Sequence, residues 1–135
     1  MQVGIDLVMV SRVQASLARF GERFLRRVFT DTEIAYATSV PDLAAERLAA
    51  RFAAKEAAIK ALDLAELGVG WREIEVAREQ SGICRLILHG AARAAADDAG
   101  VSELSVSLSH EGDYSAAVVL AVRPEPQHVQ ETTQA

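Results

Sequence analysis

The chain has 135 residues, 14 Lys plus Arg against 19 Asp plus Glu, half its residues hydrophobic, and a single cysteine. That length suits one domain with a real core, and Cys84 alone excludes an intrachain disulfide and leaves no thiolate set for a closed zinc site. A net charge of −5 speaks against a general nucleic-acid binder. The apolar run over residues 3–10 contains Asp6 and is too short to cross a bilayer. With no basic leader ahead of that run, the expectation is a cytoplasmic protein with neither membrane nor nucleic acid as partner.

In chain order, residues 2–8 alternate weakly and are β-branched, which predicts a strand with Asp6 near its end. Ser11 has the chemistry of an N-cap for a helix with Val13, Leu17 and Phe20 on one side. Gly21 interrupts that helix, and Phe24, Leu25 and Val28 continue as a second piece. Thr30 and Glu33 have capping-box spacing and predict a short helix to Thr38. Pro41-Asp42 opens the longest helix, rich in alanine and running to Leu62 or Leu67, before Gly68-Val69-Gly70 breaks the pattern. Strands are expected over 74–77, 84–88, 104–109 and 115–122, with an alanine-rich helix over 90–99 between the second and third of these. A strand and a run of helices followed mainly by strands predicts an α+β domain over 1–122. Its sheet should be mostly antiparallel, packed with one long and several short helices. Residues 123–135 read as a polar, disordered tail.

Charge is unevenly distributed along this plan. Residues 1–60 carry 9 basic and 7 acidic groups, and 61–135 carry 5 and 12. Between 12 and 27 there are five arginines and only one acid, Glu22. Of the basic residues 12 are Arg, so the two lysines, Lys55 and Lys60, stand out because they flank Glu56 in one hexapeptide. That usage suggests that the compact ammonium itself matters there, although a solvated helix face would look the same.

Three places could carry chemistry. Asp6, set among Val, Ile, Leu and Met, must be paired, hydrogen-bonded or bound to a cation, and a helix cap or an Arg12 partner would serve as well as a metal. Glu56 and Lys60 share a helix face at i,i+4, and Arg51 and Lys55 form a second such pair offset around the helix. One acid among three cations suits a site holding a hard cation and an anionic phosphate together, and Asp6 with Glu56 could supply the one or two carboxylates that Mg²⁺ takes. His110 ends a strand with Val106 and Leu108 on one face and Ser105, Ser107 and Ser109 on the other. It could be a general base, a phosphate donor or a structural hydrogen-bonder. His89 reads as a loop residue and His128 as a tail residue. Dinucleotide and P-loop fingerprints are missing, as is Gly-x-Ser-x-Gly, so covalent catalysis has no support.

Taken together, residues 4–8 (GIDLV), 51–57 (RFAAKEA) with Lys60, and 106–111 (VSLSHE) resemble the holo-acyl-carrier-protein synthases, the small, trimer-forming 4′-phosphopantetheinyl transferases. Phe29-Thr30, residues 71–76, Leu88-His89-Gly90 and residues 113–116 add to the resemblance, which spans about residues 2–122 in order. It implies the 4′-phosphopantetheinyl transferase fold. It also implies transfer of phosphopantetheine from CoA to a serine of an apo acyl carrier protein, with release of adenosine 3′,5′-bisphosphate. On this resemblance Asp6 and Glu56 fall on the Mg²⁺ ligands and Lys60 faces the pyrophosphate. Arg51 and His110 fall on contacts to the CoA phosphates, with Lys55 adding charge beside them. Glu56, Lys60 and His110 are the catalytic candidates. Arg12, Arg19 and Arg23, with Arg26 behind them, would dock the acidic carrier, and the active sites of a homotrimer would lie between subunits. The family's Gly-Thr-Gly loop is replaced by Asp63-Leu64-Ala65, which implies altered CoA contacts. A docking module that has lost transfer is the alternative.

Overall fold

The computed structural model describes residues 1–124, so residues 125–135 of the tail expected over 123–135, His128 included, lie outside the described residues. The elements are β1 (Gln2–Met9), α1 (Val10–Phe20), α2 (Glu22–Val28), α3 (Asp31–Thr38), α4 (Ala44–Leu62), β2 (Ile74–Arg78), β3 (Cys84–Leu88), α5 (Gly90–Asp98), β4 (Glu103–Glu111) and β5 (Tyr114–Val122). Single 3-10 turns stand at Pro41–Leu43 and Trp71–Glu73. β1, β5 and β4 form one antiparallel sheet with β5 in the middle, and β2 and β3 form a separate antiparallel hairpin. The α+β class expected from the sequence holds, and every strand pairing among the described residues is antiparallel.

α4 lies across the inner face of the three-stranded sheet, with α1, α3 and β2 packed against it. A helix enclosed on most of its circumference needs small side chains, and Ala53, Ala54, Ala57, Ala58 and Ala61 are all fully buried. The tightest approach is at Gly4 on β1. A Cβ there would stand 1.9 Å from the Ala57 carbonyl oxygen and 2.9 Å from the Ala61 nitrogen. Asp6 is two residues further along β1 and points to the same face, towards α4. Gly4→Ala should therefore push the strand off the helix and cost about 3 kcal/mol, the upper end for overpacking. A melting temperature within about one degree of wild type would contradict this account of the contact.

Among the described residues nothing covers the opposite face of the same sheet. Val3, Ile5 and Leu7 are 64%, 63% and 62% exposed, and their partners in register include Val118, itself 40% exposed. The serines of β4 continue that face beyond β5.

Three expectations need correction. Ser11 is not the cap of α1 but its second residue, and its hydroxyl donates to Asp113 instead of accepting from the helix. Phe20 does not join the apolar side of α1, because Gly21 turns the chain there and leaves the ring 47% exposed. α4 opens at Ala44 and not at Pro41-Asp42, which with Leu43 form a 3-10 turn, and of its two expected ends it takes Leu62, since Asp63 adopts a left-handed conformation (φ 55°, ψ 50°) that no helix can continue through. The capping box is as expected: Thr30 Oγ1 accepts from the Glu33 N–H, and Glu33 Oε1 accepts from the Thr30 N–H at 2.8 Å.

Candidate active site

The Gly4–Ala57 contact fixes β1 against α4 so that Asp6 meets the face of α4 that carries Glu56 and Lys60. Lys60 Nζ donates to the Ile5 carbonyl oxygen at 2.9 Å and to Asp6 Oδ1 at 3.2 Å. Glu56 is half-buried, and that burial, with the charge of Asp6 adding to it, raises its pKa above the usual carboxylate range. Lys60 only partly offsets the rise. Two acids held together at this energetic cost, with a lysine beside them, form a locus that favours a cation and an anion bound side by side.

These three side chains stand at the edge of a cleft of about 500 Å³ whose walls include Val8, Met9, Val13, Phe24, Phe52 and Tyr114, with Arg12 and Ser16 at the α1 side. Ser16, Phe24 and Phe52 also line a second groove of about 420 Å³, together with Phe20, Arg23, Arg27, Val28 and Trp71. Arg12 and Arg23 thus flank one connected surface, while Arg19 is exposed and lies over the Phe20 ring at 5.0 Å. Arg26 pairs with Glu22 at 3.6 Å, and Arg27 takes the groove position instead.

Lys55 does not belong to the site. Its ammonium is wholly buried and donates to Glu33 Oε1 at 2.7 Å, to the Trp71 carbonyl oxygen at 3.1 Å and to the Ile74 carbonyl oxygen at 2.5 Å. Desolvation lowers its pKa, and Glu33 holds the charge in place. The capping-box glutamate of α3 is therefore also the counter-ion that ties α4 to β2, and its second oxygen accepts from the Val76 N–H. Arg51 is likewise remote from Asp6. Five residues place it about 140° around the helix from Glu56. Its guanidinium lies 4.3 Å from the Tyr36 ring centre, with only 4% of the residue exposed, and burial lowers its pKa. His110 is also outside the cleft: its Nδ1 is 3.0 Å from Glu46 Oε1 near the start of α4. Within one chain, then, the structure brings together Asp6, Glu56 and Lys60, and leaves Arg51 and His110 elsewhere.

The smaller matching segments explain one another structurally. Thr30 Oγ1 donates to Glu75 Oε2 at 2.8 Å, and His89 Nε2 is 3.0 Å from Glu75 Oε1. Burial alone would raise the Glu75 pKa, but the hydrogen bonds from Thr30 and His89 hold it below the ordinary range. His89 is accordingly the N-cap residue of α5, tied to the hairpin, and not a free loop residue.

The fold and this locus define a class: a small α+β domain with two carboxylates and a lysine brought together beside a cleft. The family described as the 4′-phosphopantetheinyl transferase superfamily matches residues 2–119. Holo-[acyl-carrier-protein] synthase of Moorella thermoacetica is 48% identical over 120 residues, covering 89% of this chain and 92% of the relative. The enzyme of the same name from Herpetosiphon aurantiacus is 44% identical over 126 residues, covering 88% and 96%. Among solved structures, the Chronobacterium ammoniagenes ACPS–CoA complex superposes with a TM-score of 0.79 at 35% identity, covering 90% of this chain and 96% of that one. A Helicobacter pylori holo-[acyl-carrier-protein] synthase in complex with coenzyme A gives 0.78 at 26% identity, covering 89% and 99%. The chain belongs to the 4′-phosphopantetheinyl transferase superfamily.

Residue reasoning on the sequence overlooked Phe24, Phe52 and Tyr114 as cleft walls, because helical or strand periodicity reads such residues as core. Arg27 was legible only as one more member of an arginine-rich stretch.

Proposed function

We propose that this chain transfers the 4′-phosphopantetheine group of CoA to a serine hydroxyl of an apo acyl carrier protein, with Mg²⁺ held by Asp6 and Glu56. The observation that carries this reading is the convergence of Asp6, Glu56 and Lys60 at the lip of an apolar-walled cleft. The serine oxygen forms a bond to the phosphorus bearing pantetheine as the bridging P–O bond breaks. Adenosine 3′,5′-bisphosphate leaves with that electron pair. Lys60 Nζ, held by Ile5 and Asp6, offsets charge on the departing phosphate. The serine proton passes to a water held by Glu56.

The donor set fits the ion. Two carboxylates, Asp6 and Glu56, line the cleft beside Lys60, and among the described residues no group of three or more His, Cys, Asp or Glu gathers to hold a metal. That suits a hard cation drawing the rest of its shell from phosphate and water. Bound there, Mg²⁺ would neutralise the pyrophosphate and orient it for in-line attack.

The assembly belongs to the same proposal. The uncovered sheet face with Val3, Ile5 and Leu7 is of the kind that another protein surface buries, and a homotrimer would use it. A neighbouring copy would also bring the exposed His110, and the edge of the Arg51 cluster, towards the CoA phosphates that one chain leaves unmet. A reducing cytoplasmic setting accords with the single free cysteine, Cys84. No helix among the described residues is long and apolar enough to cross a membrane.

Carrier docking falls to α1 and α2 through Arg12, Arg19 and Arg23. Reversing Arg12 and Arg23 together to Glu should lower kcat/KM for an acidic carrier by on the order of tenfold at low salt, with the deficit shrinking as salt is raised. An unchanged value at low salt would remove these arginines from the docking surface. The function itself is tested by following adenosine 3′,5′-bisphosphate with CoA and Mg²⁺, with and without apo carrier. Release only with carrier is expected. Release from CoA alone would point to a hydrolase, and carrier binding without release to a docking module.

A further inference from the structure

α1 begins without a capping side chain of its own, since Met9 occupies the N-cap position. Its first two amides nevertheless have partners, both supplied by one residue of the β4–β5 turn. The Val10 N–H donates to the Asp113 carbonyl oxygen at 2.7 Å, and the Ser11 N–H donates to Asp113 Oδ1 at 2.9 Å. The Ser11 hydroxyl donates to Asp113 Oδ2 at 2.6 Å. Helix-opening amides normally find an acceptor on the residue just before the helix. Here the acceptor arrives from 102 residues away. The turn is short, with Gly112 and Asp113 between the paired residues Glu111 and Tyr114, and Gly112 at φ 56° allows the reversal.

Tyr114, the next residue, is a wall of the cleft, as are Met9 at the β1–α1 junction and Arg12 in the first turn of α1. Asp113 therefore sits where the helix that presents Arg12 and Arg19 is joined to the sheet that presents Asp6. None of its contacts reaches Asp6, Glu56 or Lys60.

We propose that Asp113 is a positioning residue: by clamping the amino end of α1 to the β4–β5 turn, it sets the angle at which the carrier-docking helix faces the Asp6–Glu56 locus. This rests on the carrier-transfer reading above. Its consequence is selective. Loosening α1 misplaces the incoming carrier serine, whereas CoA contacts the other groups of the site.

The test is steady-state transfer to an apo acyl carrier protein with CoA and Mg²⁺, comparing wild type, Asp113→Ala, Asp113→Asn and Ser11→Ala. Asp113→Ala should raise KM for the carrier about fivefold, the scale of a lost helix cap, and leave KM for CoA within about twofold. Asp113→Asn keeps an oxygen for the Ser11 N–H and an amide that can donate to the Ser11 hydroxyl, so it should restore most of the carrier KM. Ser11→Ala, which keeps the backbone contact, should fall between wild type and Asp113→Ala. If Asp113→Ala does not fold, the order wild type, Asp113→Asn, Ser11→Ala in carrier KM decides. Equal carrier KM across the variants, or equal rises in both KM values, would overturn the clamp while leaving transfer by the wild type intact. Absence of transfer by the wild type would overturn the reading and the clamp together.

Discussion

Replacing Glu56 with Gln is expected to reduce transfer by on the order of 10³-fold while making the metal-free protein more stable at neutral pH. On the proposed reading, the loss follows from removing one of the two converging carboxylates. The gain follows from linkage. Burial, and then the charge of Asp6, raise the folded-state pKa of Glu56 above its ordinary value near 4.5. The folded state therefore holds a proton that the unfolded chain has released, and stability falls as pH rises through that window. In EDTA the melting temperature of Glu56→Gln should exceed that of wild type at pH 7, and the two should converge as pH drops towards 4.5 and below. Adding Mg²⁺ and CoA should stabilise wild type more than the variant. A Glu56→Gln protein that is less stable at pH 7 in EDTA, or that transfers at a rate near wild type, would contradict this description of the locus.

The second large effect concerns stability away from the site. Glu33→Ala would leave Lys55 buried with only the Trp71 and Ile74 carbonyl oxygens as partners, and loss of a buried charge partner costs about 3–5 kcal/mol. Lys55→Met should cost less, since Glu33 keeps the Thr30 and Val76 amides. The double variant Glu33→Gln with Lys55→Met should recover part of the stability lost on disrupting the pair, because a neutral amide can still cap α3 and a thioether fills the ammonium's channel. Denaturant unfolding of wild type, Glu33→Gln, Lys55→Met and the double variant measures this cycle. Additive losses in the double variant would mean that the two side chains do not act as a pair. If Lys55 met CoA phosphate, as the sequence suggested, its removal would instead weaken CoA binding and leave folding stability nearly unchanged.

That contrast marks where the sequence was legible. Strand β3 and the capping box at Thr30 were readable because alternation and capping chemistry are local. The Asp6–Glu56–Lys60 convergence was readable only through the family resemblance, since spacing along the chain says nothing about where β1 meets α4. The physical reason they meet is Gly4, whose missing side chain admits the Ala57 carbonyl. Lys55 was misplaced for a related reason. A lysine next to a candidate glutamate looks functional, yet one residue is 100° of helix, and Lys55 faces α3 and β2 instead of the cleft. Ser11 and Asp113 lie far apart in sequence, so a cap supplied from a distant turn had no local signature. Phe52 read only as one of the apolar residues of the long helix, because apolar side chains lining a cleft have the same periodicity as those filling an interior.

The replacement of Gly-Thr-Gly by Asp63-Leu64-Ala65 also takes physical form. Asp63 holds a left-handed conformation that favours glycine, and Leu64 is buried behind it.

The most direct measurement is intact-mass spectrometry of an apo acyl carrier protein incubated with this protein, CoA and Mg²⁺, beside Asp6→Ala and Glu56→Ala variants and an EDTA control. A mass gain of one phosphopantetheine on the carrier, lost in EDTA and in both variants, is the predicted result. A gain that survives loss of the metal and of both carboxylates, or no gain on any acidic carrier, would contradict the assignment of Asp6 and Glu56 as the centre of a phosphopantetheinyl transfer site.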